Sequence, residues 1–514
     1  MGIVTVKRKP VAFGDQRGWL KALKAAGEVR EIEAEVDWNV ELGTIMRLAQ
    51  GEGDGPAIVF KNIKDYNGNQ ARCREVFGLG LSSYRRLNMM LGMDADTHPR
   101  ELVKLGRTLL TERIEPRIVD TGPVKENILK GADINLYDFP SPMWNAVDGG
   151  RYILTSAGCV TRHPETGVMN VGIYRGMVAE KDLIPILLWR AQHIGNHYTA
   201  WQQAGAKAMP IAFVIGWEPC LDFCAGQPVP QGICEYDVMG AIRGEPVDLV
   251  KCETVDLEVP ATAEIVIEGM ISTDPADYAM EGPFAEFTGY VAGDKSPKPT
   301  AKVTCITHRN EPVLRGALEG SLPGSFSENA VCSSMMRAAA AWNVLERAGV
   351  PGIVDVRCPP IQAGANIYVS IKQIYRNQAK QVAHALWGSS AGHVRYKHVI
   401  VVDDDIDIYD YAAVDWAIAW RVNAGEDDVI IAPSTFGAGL DPSTRRRDRN
   451  GALFGTGKWA RVLIDATINL DYDPDPDLGG ARFPPTVWPS KDNVEKAYAR
   501  WEELGFGKPP AKKS

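Results

Sequence analysis

Two glutamates, Glu281 and Glu286, stand on either side of a Gly282-Pro283 turn in the stretch AMEGPFAEFTGYVAG (279–293), in the company of Phe284, Phe287 and Tyr290. A carboxylate so placed is either a surface turn residue or a group whose pKa is raised for proton transfer, because apolar surroundings penalise the charged form. Three further segments carry polar groups that belong with it chemically. MNVGIYRG (169–176) brings Asn170 and Arg175, RAQHIGNHY (190–198) brings Gln192 and His193, and GICEYDVMGAIRG (232–244) brings Glu235. Taken singly, each has an ordinary structural explanation: an edge asparagine, a satisfied histidine, an acid in a helix first turn favoured by the dipole. Asn170 and Arg175 are an odd number of residues apart, so an ideal strand would send them to opposite faces. If both serve one site, the strand through 169–176 must bulge, with Gly172 permitting it, or must end early.

Other patterns do not hold up. FGTGKWA (454–460) has Ala452 where a phosphate loop needs its first glycine, and Trp459 where it needs Ser or Thr. DDDIDIYD (403–410) has Ile408 at the sharp-turn glycine of a calcium loop and Val414 at its bidentate glutamate, which leaves a buried strand ending in solvated carboxylates. STRRRDRN (443–450) is basic without interleaved aromatics and reads as a solvated loop. Cys220 and Cys224 in CLDFC have no second pair at zinc spacing and read as buried free thiols; nine scattered cysteines fit a reducing compartment.

The elements that must position these residues are α/β at both ends and β-rich between. DQRGWLKALKAAGEV (15–29) is an amphipathic helix with Asp15 as N-cap and Gly27 near its end. Strand-like VREIEAEVD (29–37), helical NVELGTIMRLAQ (39–50) and strand-like AIVFKNI (57–63) follow. Two strand-like runs flank HPETG (163–167), a hairpin turn with Gly167 where a positive φ is needed. IPILLWRAQHIGNHYTAWQQAG (184–205) reads as strand then helix, and MPIAFVIG (209–216), the block 246–271 and TAKVTCITHR (300–309) read as strands. A long connecting helix spans 327–350; PGIVDVRCPP, IYVSIKQIYRNQAKQVAHALWG and YKHVIVVDDDIDIYD then give strand, helix, strand. A terminal helix, 490–506, starts at Ser490. At 514 residues the chain exceeds one core, and three domains are expected: 1–125, 126–320 and 321–514. The net charge of −9 argues against a nucleic-acid partner. No apolar run approaches the roughly 18 residues of a membrane span. MGIVTVKRKP lacks a secretory h-region, and Val6 stands where myristoylation wants Ser or Thr, so the expected location is the cytoplasm.

TGVMNVGIYRGMV, QHIGNH, CEYDVMGAIRGEPVDLVKCETVDLEVPA, EGPFAEFTGY and KHVIVVDDDIDI, in that order and spacing, resemble the UbiD family of decarboxylases, which use prenylated FMN. The resemblance runs from about residue 15 to 470, with departures at His163 (usually Asp), Ala285 (usually Gly) and LPGSFSENA (322–330). It implies an α/β N-terminal domain, a split β-barrel middle domain binding the flavin, and a connecting helix leading to a C-terminal α/β oligomerisation domain, in a homodimer or homohexamer. It further implies that Asn170, His193 and Glu235 hold a divalent cation, Mn2+, bridging to the cofactor phosphate, with a potassium ion nearby. An amide oxygen, an imidazole and a carboxylate suit such an ion unaided. Val171, Gly172, Ile173, Tyr174, Arg175 and Gln192 would line the cofactor, and Lys397 would pair with its phosphate.

By the same resemblance, Arg175, Glu281 and Glu286 form the catalytic network. Direct loss of CO2 from an aromatic or α,β-unsaturated acid leaves an sp2 carbanion, for which side chains offer no electron sink. In this family prenylated FMN supplies one through a covalent adduct with the substrate. Arg175 would orient the substrate carboxylate, Glu281 would position Arg175, and Glu286 would protonate the carbon after CO2 leaves. The expected substrate is an aromatic or heteroaromatic acid, bicyclic or polycyclic ones such as indole or phenazine carboxylates included, in a reversible reaction. The expected partner protein is a flavin prenyltransferase that supplies the cofactor. A 4-hydroxybenzoate-type decarboxylase of quinone biosynthesis is the alternative within the class; a flavin reductase with a similar barrel and a non-catalytic cofactor carrier are the alternatives outside it.

Overall fold

The computed structural model describes residues 7–507 except 69, 110, 191, 228, 230–231, 393 and 450–456; the N-terminal run 1–6 and the first part of FGTGKWA fall outside the described residues. Asp15 caps the helix Gln16–Ala25 as expected, accepting from the Gly18 N–H. That helix and Glu41–Gln50 accompany a four-stranded sheet of Val29–Ile32, Ala57–Phe60, Glu75–Gly78 and Val313–Arg315. The last strand returns from far along the chain to pair parallel with Glu75–Gly78.

The middle of the chain builds an antiparallel sheet in the order Leu183–Pro185, Thr300–His308, Ile265–Ser272, Ala208–Ile215, Ala157–Arg162, Met169–Ile173, with Asn127–Lys130 also on Thr300–His308. Among the described residues its hydrogen-bonded path is open. Ala208–Ile215 and Ile265–Ser272 are buried on both faces over most of their length, which explains their near-continuous apolar sequences. The hairpin between Ala157–Arg162 and Met169–Ile173 turns through Gly167 at φ +70°, as expected.

The connecting helix is Ala330–Arg347, and most of it is buried. It packs on the helix Pro99–Leu109, the strand Ile353–Arg357 and the helix Gln378–Trp387. Beyond it lies a five-stranded sheet ordered Ile353–Arg357, Asn366–Ile371, His398–Asp403, Gly457–Ala466, Val429–Gly437, parallel at its centre and antiparallel at both edges. Here the structure corrects one expectation. IYVSIK belongs to a strand, Asn366–Ile371, and the helix begins only at Gln378. Tyr368, Val369 and Ile371 sit in the sheet interior, where burial on both faces removes the alternation that marks a strand. The acidic run after His398–Asp403 is only partly solvated, because Arg421 donates to Asp403 (3.2 Å) and Asp405 (2.6 Å). Cys220 and Cys224 are buried free thiols on Pro219–Ala225, pushed up in pKa by burial. The terminal helix Lys491–Ala499, capped by Ser490, buries no residue. Among the described residues no helix is long and apolar enough to cross a membrane.

Candidate active site

The strand Met169–Ile173 keeps a regular register with Ala157–Arg162 and then stops; after Tyr174 and Arg175 the chain joins a different sheet, Gly176–Met177 on Tyr152–Leu154. The early end, not a bulge at Gly172, frees Asn170 and Arg175 from opposite faces. Gly172 has another use: a Cβ there would lie 2.6 Å from the folded-back ring of Tyr174.

His193 and Glu235 each open a helix, His193–Gln203 and Glu235–Arg243. Both converge on the strand. The His193 Nδ1 lies 3.1 Å from the Asn170 Oδ1 and 4.0 Å from the Glu235 Oε1, and the Val171 N–H donates to the Glu235 Oε2 at 2.6 Å. Glu235 is only 2% exposed, and burial pushes its pKa up to about 7 despite the N–H it accepts. Burial also lowers His193. Among the described residues no lysine or arginine pairs with Glu235, and a buried carboxylate beside an imidazole of lowered pKa and an amide oxygen is a donor set that fits a divalent cation. Among the described residues no three His, Cys, Asp or Glu group together, so a cation here would need the amide of Asn170 as its third ligand.

The two glutamates of the opening stretch are buried, Glu281 fully and Glu286 to 8% exposure. Arg175 bridges them: its Nε and Nη2 donate to the two oxygens of Glu281 at 2.9 and 3.2 Å, and its Nη1 donates to Glu286. Burial pulls the guanidinium pKa down, but Glu286 and Glu281 outweigh that and hold it above its ordinary value. Burial raises the Glu286 pKa, opposed by Arg175. Phe284 supplies part of that shell, buried beneath the guanidinium at 5.1 Å. Tyr290 does not, being 62% exposed.

Residues that sequence reasoning missed hold the turn in place. The Tyr152 hydroxyl donates to the Glu281 Oε1 at 2.7 Å. Asp148 accepts from the Ala285 N–H at 2.9 Å, and the Gly149 N–H donates to the Pro283 carbonyl at 2.7 Å. No local pattern in Tyr152 signals this, since its partner comes from a distant segment.

A cavity of about 330 Å3 opens beside this network. Ile173, Tyr174, Arg175, Gln192, Glu286 and Phe287 line it from the middle of the chain, and the connecting helix and C-terminal unit close it. Val171 acts through its backbone on Glu235 and does not line it. Lys397 is not brought there either. Its ammonium is held by Asp441 at 2.8 Å and Ser443 at 2.5 Å, 5.7 Å over the Trp459 ring.

Three family models match the chain in succession: the N-terminal domain of 3-octaprenyl-4-hydroxybenzoate carboxy-lyase over residues 20–106, its Rift-related domain over 117–322 and its C-terminal domain over 330–466. The pyrrole-2-carboxylic acid decarboxylase of Pseudomonas aeruginosa is 32% identical, over 96% of this chain and 98% of that protein. Among solved structures, the UbiD-class enzyme HmfF from Pelotomaculum thermopropionicum in complex with FMN superposes with a TM-score of 0.78 at 30% identity, covering 94% of this chain and 99% of that one. An evolved dimeric form of HmfF in complex with prenylated FMN gives 0.75 at 28% identity, covering 93% and 98%.

Proposed function

The chain belongs to the UbiD family of carboxy-lyases, and from that premise we propose that it removes CO2 reversibly from an aromatic or heteroaromatic acid with prenylated FMN as cofactor. Aromatic acid decarboxylation is the activity of its relatives. The observation that carries the reading is the buried Glu281–Arg175–Glu286 chain at the cavity wall, with Glu286 raised towards its acid form. When bound, the cofactor supplies the electron sink that protein side chains lack. Arg175 orients the substrate carboxylate, Glu281 and Tyr152 hold Arg175, and Glu286 delivers the proton that replaces CO2. Phe284 and Phe287 keep water away from that proton. Asn170, His193 and Glu235 hold a divalent cation, Mn2+ in this reading, whose charge offsets the buried carboxylate and serves an anionic cofactor group. A flavin prenyltransferase supplies the cofactor, and the C-terminal unit mediates self-association.

The test is mass spectrometry of ligand released from protein produced with and without a flavin prenyltransferase, alongside CO2 release from a panel of aryl acids. Prenylated FMN in the co-produced sample only, with CO2 release confined to it, is the expected result. Plain FMN or no flavin in both, with folded protein and no CO2 release, overturns the reading.

A further inference from the structure

Two more arginines line the same cavity, Arg337 on the connecting helix and Arg395 just ahead of the strand His398–Asp403. Several buried arginines elsewhere in the chain have carboxylates: Arg86 pairs with Glu28, Arg243 with Glu218, Arg315 with Asp222 and Glu328, Arg421 with Asp405. Arg337 and Arg395 have none among the described residues. Arg337 donates to the Ala363 carbonyl, and Arg395 donates to its neighbour Val394 at 2.9 Å and lies 5.1 Å over the Phe287 ring. Burial lowers the pKa of both, Arg395 to about 9, and the Arg337 charge lowers Arg395 further. Two acids of the cavity act on them at longer range: Glu286, on Arg395, is already paired with Arg175, and Glu319, on Arg337, has its pKa held up to about 7 by burial and accepts from Asn329 at 3.3 Å. Two half-buried guanidinium groups lining one cavity, close enough for the charge of one to weaken the other and without a carboxylate partner among the described residues, are an unfavourable arrangement unless an anion completes it. Their planar forks match a carboxylate. The third arginine of the cavity, Arg175, is already shared by Glu281 and Glu286, so it does not account for them.

We propose that Arg337 and Arg395 bind a second carboxylate of the substrate, which makes that substrate an aromatic dicarboxylic acid. The inference rests on the decarboxylase reading and narrows its substrate class. One carboxylate leaves as CO2 as its C–C bond breaks, and a proton, delivered by Glu286 and replaced from solvent, takes its place on the ring carbon. The second carboxylate stays on the arginines, and the product is a monocarboxylic acid.

Calorimetry on holoenzyme with benzene, pyridine and naphthalene dicarboxylates, each against its monocarboxylate, tests this. At least one dicarboxylate is expected to bind about tenfold or more tighter than its monocarboxylate, as two charge-assisted hydrogen-bond partners imply. In Arg395→Leu and Arg337→Met that ratio falls towards one, and Arg395→Lys recovers part of it. Flavin content per chain, measured on each variant, reports folding and cofactor retention. Equal binding of mono- and dicarboxylates by the unaltered holoenzyme overturns the proposal. So does loss of flavin from otherwise folded arginine variants, which would assign the pair to the cofactor. CO2 release in the same samples is scored separately: a dicarboxylate preference without release from any acid removes the decarboxylase reading and leaves the anion site standing.

Discussion

A carboxyl group that must give up a proton near neutrality has first to keep it, and at Glu286 two opposing effects decide whether it does. Burial favours the neutral acid and the Arg175 guanidinium favours the carboxylate; burial prevails and the pKa is raised. Replacing Glu286 with Gln removes the proton and little of the shape. CO2 release in Glu286→Gln is expected to fall by about 10²–10⁴-fold while flavin content stays at the parent level. Normal turnover in that variant would assign proton delivery elsewhere. The sign of the pH dependence follows from the same balance. The acid form is depleted as pH rises through the raised pKa, so kcat should decline on the alkaline side of that pKa. A kcat profile flat through this range would show that Glu286 does not deliver the proton in the limiting step.

At the scale of elements, placement depends on where strands stop. Met169–Ile173 ends two residues before Arg175, which lets one segment reach both the His193–Glu235 cluster proposed to hold a cation and the buried Glu281–Glu286 pair. The turn between Glu281 and Phe284 depends on a close backbone approach by Gly149, whose Cβ, if present, would lie 1.9 Å from the Gly282 carbonyl oxygen. Since backbone cannot yield as a flexible side chain does, Gly149→Ala must displace the turn that carries both glutamates. A displacement of about 1 Å at a reacting group costs on the order of 10²-fold in rate. The expected outcome is a kcat loss of that order with the flavin still bound, measured by steady-state kinetics normalised to flavin content. An unchanged kcat would mean the turn tolerates the shift.

At the scale of the whole molecule, Arg315 ties the first sheet to the middle of the chain and to the start of the connecting helix. It sits on the returning strand of the first sheet and donates to Asp222 at 2.8 Å, on the helix Pro219–Ala225, and to Glu328 at 2.7 Å, ahead of the connecting helix. All three side chains are buried, and Glu328 also accepts from the Leu81 N–H. Arg315→Met would leave two buried carboxylates without their cation. That should destabilise the protein by about 3–5 kcal/mol, visible as a lower urea midpoint. A midpoint equal to the parent's would mean the network contributes nothing net to stability.

What the sequence determined by itself was local or idiosyncratic. The caps at Asp15 and Ser490, the turn at Gly167 and the first-turn position of Glu235 follow from interactions a few residues long, so their signals lie within a few residues. The motifs around Asn170, Arg175, Glu281 and Glu286 were distinctive enough to place the chain in its family and to name the glutamates that the structure finds buried together. Only tertiary structure decided the rest. The pairing of Val313–Arg315 with the first sheet, the Asn366–Ile371 strand, the Tyr152 hydroxyl on Glu281, the diversion of Lys397 to Asp441 and the meeting of Arg337 with Arg395 all join segments that do not constrain each other locally. Burial and electrostatic partnership are properties of the packed molecule, and no window of sequence contains both partners.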